Sequence, residues 1–371
     1  MERKYWKMLA TSFAVFFQSI AAEAATVRVS VDSAGNGANG PSFNAALSDD
    51  GMIVTFDSHA SNLVPNDTNG VPDIFVHFLS TGQTIRVSVD SAGNQGNGVS
   101  GDPEISNDGR YVTFESTASN LVPGDTDGGL RDIFIYDVLT ATTRLLSGTV
   151  TGQDHSGGNP AISADGRFVA FNTGAALIPN DTNVQVDIYV YDLQTDQLEQ
   201  VSVDSNGGQG DGESVVPALS ADGRLVAFQS VATNLVPNDT NEQRDMFVHD
   251  RQTGITERVS VSSTGAEGDR PSGSTSGALS GDGRFVTFLS FSSTLAPGDT
   301  NGTIDIFVRD RSQNTTTRIA ADASGVTNFV SPRISQSGRF VVYESDANYL
   351  VPNDTNNAID LFLRDLQTGT D

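Results

Sequence analysis

The chain has 371 residues, with 46 Asp and Glu against 21 Lys and Arg, a formal net charge of −25 and no cysteine. So negative a surface repels phosphate backbones, which argues against nucleic acid as a partner. The missing thiols exclude disulfides, thiol chemistry and cysteine-ligated metals. The only lysines are Lys4 and Lys7, so lysine-dependent phosphate loops and Schiff bases are excluded too. A hydrophobic content of 37% with 20 Phe nevertheless predicts a packed core rather than disorder.

Residues 1–24 read as a secretory signal. Arg3, Lys4 and Lys7 form its basic start, Met8 to Ile20 its apolar stretch, and Ala22-Glu23-Ala24 a cleavage site. The apolar stretch is short for a membrane span and contains Gln18. The expectation is export to the periplasm or the exterior, without stable membrane insertion, of a single domain over 25–371.

That domain is predicted to be all-β and built from repeats. The loop VPNDTNGVPDIF at 64–75 returns five times, and its first Asp falls at 67, 125, 181, 239, 299 and 354. A unit of about 57 residues repeated six times fills the remaining chain. Each unit carries four strand-like runs joined by Asp-Gly or Thr-Gly turns. In the fourth these are Val216–Ser220, Arg224–Ser230, Asp245–Asp250 and Thr256–Val261. No helical periodicity persists beyond a turn or two. Four antiparallel strands per unit predict a six-bladed β-propeller, whose ring protects strand edges. The chain ends where the sixth unit's fourth strand should begin, and Thr26–Asp32 matches that strand in sequence. The N-terminal strand is therefore expected to close the last blade.

Units of the form SADGRxVAF…DIFVYDLQTG resemble the TolB-type, WD-like propeller repeat of exported bacterial proteins, and the resemblance spans 26–371. TolB's additional N-terminal domain has no counterpart here, so a TolB role is not implied.

Alternating chain direction puts the short Asp-Gly and Thr-Gly turns on one face. The Asp/Asn loops and the Gly/Asn/Ser-rich blade connections, such as 91–97 and 205–211, share the other, which is the expected binding face. Within the loops, oxygen-bearing residues recur at fixed spacing: Asp67, Asn69 and Asp73; Asp181, Asn183 and Asp187; Asp239, Asn241 and Asp245; Asp299, Asn301 and Asp305; Asp354, Asn356 and Asp360; and, one residue longer, Asp125, Asp127 and Asp132. This spacing suits Ca²⁺, which takes six to eight oxygens, as a stiffening rather than catalytic ion. Other cations, or Asx-turns that need no metal, explain the same pattern.

No catalytic residue is assigned. The Ser-x-Asp-Gly turns read as hairpin structure. Arg110, Arg167, Arg224, Arg284 and Arg339 behind them should pair with nearby acids. Phe56, Phe114, Phe171, Phe228, Phe288 and Tyr343 read as inter-blade core. His77 and His249 read as surface residues, and His59 and His155 do not converge with them. Glu104, Asp154, Asp211, Glu213 and Asp269 stand outside the repeat pattern and are the acids to watch for chemistry. The leading functional expectation is an exported scaffold that binds a protein or glycan through its loop-rich face. Alternatives are a glycoside hydrolase or lyase with a site at the channel mouth, and a purely architectural surface protein.

Overall fold

The computed structural model describes residues 26–123, 125, 129–148, 157–274, 278–300, 302–320, 330–345, 350–351 and 358–369. Residues 1–24, expected to be a secretory signal, lie outside them. No helix occurs among the described residues, hence none long and apolar enough to cross a membrane. Six antiparallel sheets follow one another along the chain, over 42–86, 100–145, 157–200, 214–258, 272–320 and 330–365, and are numbered here as blades 1 to 6. Together they form the six-bladed β-propeller expected from the repeats.

In blade 4 the strands are Ser214–Leu219, Leu225–Ser230, Asp245–Asp250 and Ile255–Arg258, paired in that order. The fourth is shorter than its sequence suggests because the chain leaves the sheet after Arg258. Val259 packs in a cluster that also holds Val286 and Phe288 of blade 5. Between blades the core is built from stacked aromatic pairs on the second and third strands, such as Phe56–Phe75, Phe114–Phe134 and Phe228–Phe247, with centroids 5.7–5.9 Å apart. The recurring Phe positions are core, as expected.

The Asp-Gly turns are also joints. Their Ser hydroxyl meets the Asp carboxylate two residues on, at 2.6 Å for Ser106 and Asp108. Gly223 lies in the left-handed region at φ 67°, and a Cβ there would come within 2.3 Å of the Phe168 ring in blade 3. Glycine is required on both counts. The residue after each Ser then donates its backbone N–H to its counterpart in the next blade. The chain of bonds runs Asp49 to Asn107, Asn107 to Ala164, Ala164 to Ala221, Ala221 to Gly281 and Gly281 to Gln336, at 2.8–3.1 Å.

The seam between blades 6 and 1 differs from the expectation in one respect. Among the described residues blade 6 contains three strands, Val330–Ile334, Phe340–Ser345 and Asp360–Asp365. Residues 26–31 lie beside blade 1 but do not pair with blade 6 as its fourth strand. Val29 packs on the cluster of Val54, Phe56, Leu63 and Phe75, as Val87 packs on blade 2. Thr84 donates its hydroxyl to Val31 O, and Ser33 bonds the Thr84 backbone. The segment's contacts to blade 1 hold it there, while the apolar face of blade 6 stays open. Leu361 is 72% exposed, whereas Ile74, Ile133, Ile188, Met246 and Ile306 in the same register are fully buried.

Candidate functional site

Both long loop classes lie on one face and are pinned to each other by a repeated clamp. In blade 2, Ser119 N–H donates to Asn97 Oδ1, Asn97 N–H to Asn120 Oδ1, and Asn120 Nδ2 to Gln95 O, each at 2.9 Å. Asn39, Ser61 and Asn62 repeat the arrangement in blade 1. In blade 4 the same place is held by Asp211, which accepts from Thr233 N–H at 2.7 Å, and in blade 5 by Asp269, which accepts from Ser293 N–H at 3.0 Å. Asp211 and Asp269 are thus repeat residues written as Asp instead of Asn, not acids free for chemistry. Glu213 is held by Arg244 at 2.8 Å. Asp154 lies outside the described residues.

The Asp/Asn loops converge as their spacing suggests, but their polarity is arranged for self-closure. Asp73, Asp187, Asp245 and Asp305 open the third strand of their blades and are fully buried. Burial pushes Asp73, Asp187 and Asp245 above the usual carboxylate range. A serine two residues beyond the fourth strand compensates in part: Ser88, Ser147 and Ser202 donate to Asp73, Asp132 and Asp187 at 2.6 Å. The asparagines turn their oxygens into their own loops. Asn69 Oδ1 accepts from Val71 N–H at 3.1 Å, and its Nδ2 donates to Asp73 and Gly96 O; Asn241 behaves alike. Asn183 accepts from Gln185 N–H and donates to Gly210 O. These are the bonds of Asx-turns.

An arginine from the fourth strand supplies the counter-charge in three blades. Arg86 stands 3.6 Å from Asp67 and 3.4 Å from Asp73. Arg258 stands 3.1 Å from Asp239, 3.2 Å from Asp245 and 2.9 Å from Glu267. Arg318 stands 3.1 Å from Asp299 and 3.0 Å from Asp305. In blade 3, Gln200 takes the arginine's place. Among the described residues no group of three or more His, Asp or Glu side chains is arranged to hold a metal ion. Asp125 and Asp132 of blade 2 and Asp360 of blade 6 are described, whereas Asp127, Asn301, Asp354 and Asn356 lie outside the described residues.

The channel is lined by the first strands of the blades. A cavity of about 420 Å³ runs between residues that include Asn44, Asp102, Glu104, Asn159, Val216 and Arg333. Asn44, Asp102, Asn159 and Val216 have φ of 48–56°, each at a bulge in its first strand. For β-branched Val216 this is strained backbone. Glu104 of blade 2 reaches across to Arg333 of blade 6 at 3.7 Å, and burial raises its carboxyl. Nearby, burial and then the Asp102 charge push Glu115 up to about 7, against the pull of Arg131 at 3.0 Å. Of the acids singled out in the sequence, Glu104 alone among the described residues lines the channel. Glu115 was missed because its neighbours along the chain are those of an ordinary second strand.

On the opposite face, Arg110, Arg167, Arg224, Arg284 and Arg339 do pair with acids, namely Asp137, Asp192, Asp250, Asp310 and Asp365, at 2.6–2.8 Å. The histidines are a correction. His77 and His249 are buried, not on the surface. Each has its Nδ1 2.8–2.9 Å from a threonine hydroxyl, Thr84 or Thr256, that itself donates to a backbone oxygen of the preceding connection. The ring nitrogen is therefore the donor, and the histidine latches one blade to the connection before it.

No family model and no curated protein matches the sequence. Among solved structures, TolB from Acinetobacter baumannii matches at 18% identity and a TM-score of 0.44, over 76% of this chain and 55% of that one; the chain spans about half the TolB chain's length. A prolyl endopeptidase matches at 12% identity and a TM-score of 0.56, over 90% of this chain and 42% of that one. An oligogalacturonate lyase, in a structure with manganese, matches at 13% identity and a TM-score of 0.54, over 88% and 74%. A TolB, the family that the repeats resemble, is among these matches; the likeness to the endopeptidase and the lyase assigns, at these identities, the β-propeller fold alone.

Proposed function

We propose that the chain is an exported, rigid propeller that binds a protein or glycan partner through its loop-built face. The observation that carries this reading is the repeated Asn/Asp clamp, which holds the two long loop classes against each other and so preorganises one continuous surface. Val99, Val231 and Phe291, all more than a third exposed, are among the apolar contacts that this face offers. Export rests on the signal-like residues 1–24 and would be checked by the mass of the processed chain.

The test is a glycan array and a screen of purified envelope proteins, followed by affinity measurement with each hit. Val231→Asp combined with Phe291→Asp should weaken a true ligand at least tenfold, while Leu139→Asp, on the opposite face, should leave it unchanged. The reverse pattern would sink the reading.

A second reading, acid–base chemistry on a glycan, is favoured by one observation: Asp102, which lines the channel, is hydrogen-bonded to Glu115, whose carboxyl burial and the Asp102 charge raise to about 7, a carboxyl pair able to share one proton. Turnover of any oligosaccharide by the wild-type chain and not by Glu115→Gln would establish it.

A further inference from the structure

We infer that the notch between blades 1 and 2, at the channel mouth, is a binding site for a protonated amino sugar. The inference deepens the glycan side of the partner reading above and rests on it.

The other blades show what this notch lacks. At one register of the second strand, Glu115, Asn172 and Gln229 each reach into the next blade. There they accept a first-strand backbone N–H, from Asn159, Val216 and Ser274 respectively. Strand pairing places Asp57 at the same register in blade 1: Asp57 faces Phe43 as Glu115 faces Gly101 and Asn172 faces Gly158. Asp57 is one methylene shorter than Glu115. Its carboxylate takes a bond from Asn44, but Oδ1 has no hydrogen-bond partner although the residue is only 6% exposed. The space in front of it is correspondingly open. A Cβ on Gly158 would lie 3.5 Å from Glu115 Oε2, and one on Gly273 2.3 Å from Gln229 Oε1, whereas one on Gly101 would meet nothing within 4 Å. A buried carboxylate oxygen without a donor is a demand that a ligand N–H satisfies.

The walls select the ligand. Phe43 is 53% exposed and stands where blades 2, 3 and 5 have glycine; the His59 ring meets it edge to face, with centroids 6.2 Å apart. That is an apolar surface for the C–H face of a sugar ring. The adjoining cavity of about 420 Å³ carries the Asn44 and Asn159 amides, which suit hydroxyls. Asp57, Asp102, Glu104 and Glu115 gather here against Arg131 and Arg333. Burial pushes Asp57, Glu104 and Glu115 up, and the Asp102 charge adds to each. A cationic ligand relieves that crowding and a neutral sugar does not. A lysine side chain would meet the carboxyls but has no hydroxyls for the two amides.

The experiment is calorimetric titration of the purified chain with a short glucosamine oligomer and with its N-acetylated counterpart, which lacks the charge. Wild type should bind the free amine about tenfold more tightly, the worth of one charge-assisted hydrogen bond. Phe43→Ala should weaken it by a similar factor. Asp57→Glu keeps the charge and supplies the side chain that Glu115 provides one blade on, so it should fold normally and lose the binding. Equal affinity for the two oligomers, no saturable binding of either, or unchanged binding in both variants would overturn the inference. So would preference for a lysine peptide over the sugar. A partner lost through the Val231 and Phe291 variants, with no amine-dependent sugar binding, leaves the partner reading standing and this inference fallen. Amine-dependent binding that Asp57→Glu abolishes and those loop-face variants leave untouched does the reverse.

Discussion

Met52 and Phe78 hold in blade 1 the places that Arg110 and Asp137 hold in blade 2, an apolar pair for an ion pair at the same register. The exchange is concerted, because a lone arginine or aspartate here would face a methionine or a phenylalanine. Met52→Arg and Phe78→Asp should each lower the Tm singly, and the double variant should recover most of the loss. Thermal unfolding of the four-member cycle measures the coupling, and strict additivity would refute it.

Stability should pass through a maximum in mildly acidic solution. Glu115 has its folded-state pKa raised to about 7, so the folded chain binds its proton more tightly than the unfolded chain does. Its contribution to stability therefore grows as pH falls from about 7 toward the usual glutamate value and is lost on the way up. Asp310 and Asp365 behave oppositely. Arg284 and Arg339 hold them down at about 2, so their contribution is present above the ordinary aspartate value and lost as pH falls toward 2. Glu115→Gln should flatten the neutral limb of a Tm profile and leave the acid limb in place.

Removing one clamp should loosen its loops without unfolding the ring. Asn97→Ala deletes the bond that Ser119 N–H donates and the one between Asn97 Nδ2 and Ser119 Oγ. At about 1 kcal/mol net for each bond, a loss of roughly 2 kcal/mol is expected, with faster amide exchange confined to 95–99 and 117–121. Exchange that spreads through all six blades would contradict a local clamp.

The seam between blades 6 and 1 should close by strand addition. Leu361 and Leu363 of blade 6 and Val27 of the N-terminal segment are all more than half exposed, and burying them together removes that apolar surface from water. By the register of the other blades, Val27 would face Leu363. In a chain without cysteine, Val27→Cys with Leu363→Cys should form one disulfide on oxidation and raise the Tm. A double variant that stays reduced under oxidant would mean that the seam remains open.

The sequence carried the architecture because the repeat restates it six times: Phe114 recurs as an aromatic in every unit and Arg110 in all but the first, and each recurrence tests the others. The Asp/Asn loops were legible as convergent clusters but not in their chemistry. Arg86 lies thirteen residues beyond Asp73, and only strand pairing brings it back between the carboxylates. Asp211 looked unrepeated because residue identity hides a shared role; Asn97 and Asp211 accept the same kind of backbone bond. His77 was misjudged for a related reason. Its third strand alternates in the sheet, but the neighbouring connection covers the outward side.

The bonds that link successive Asp-Gly turns use only main-chain atoms. The side chains at those positions are Asp49, Asn107, Ala164, Ala221, Gly281 and Gln336, with no chemistry in common. Apart from Gly281, where a Cβ would come within 2.9 Å of the Gln336 carbonyl oxygen, that rim can be rewritten in sequence without slackening the ring, so it is a surface on which new specificity can be drafted while the mechanical frame stays as it is.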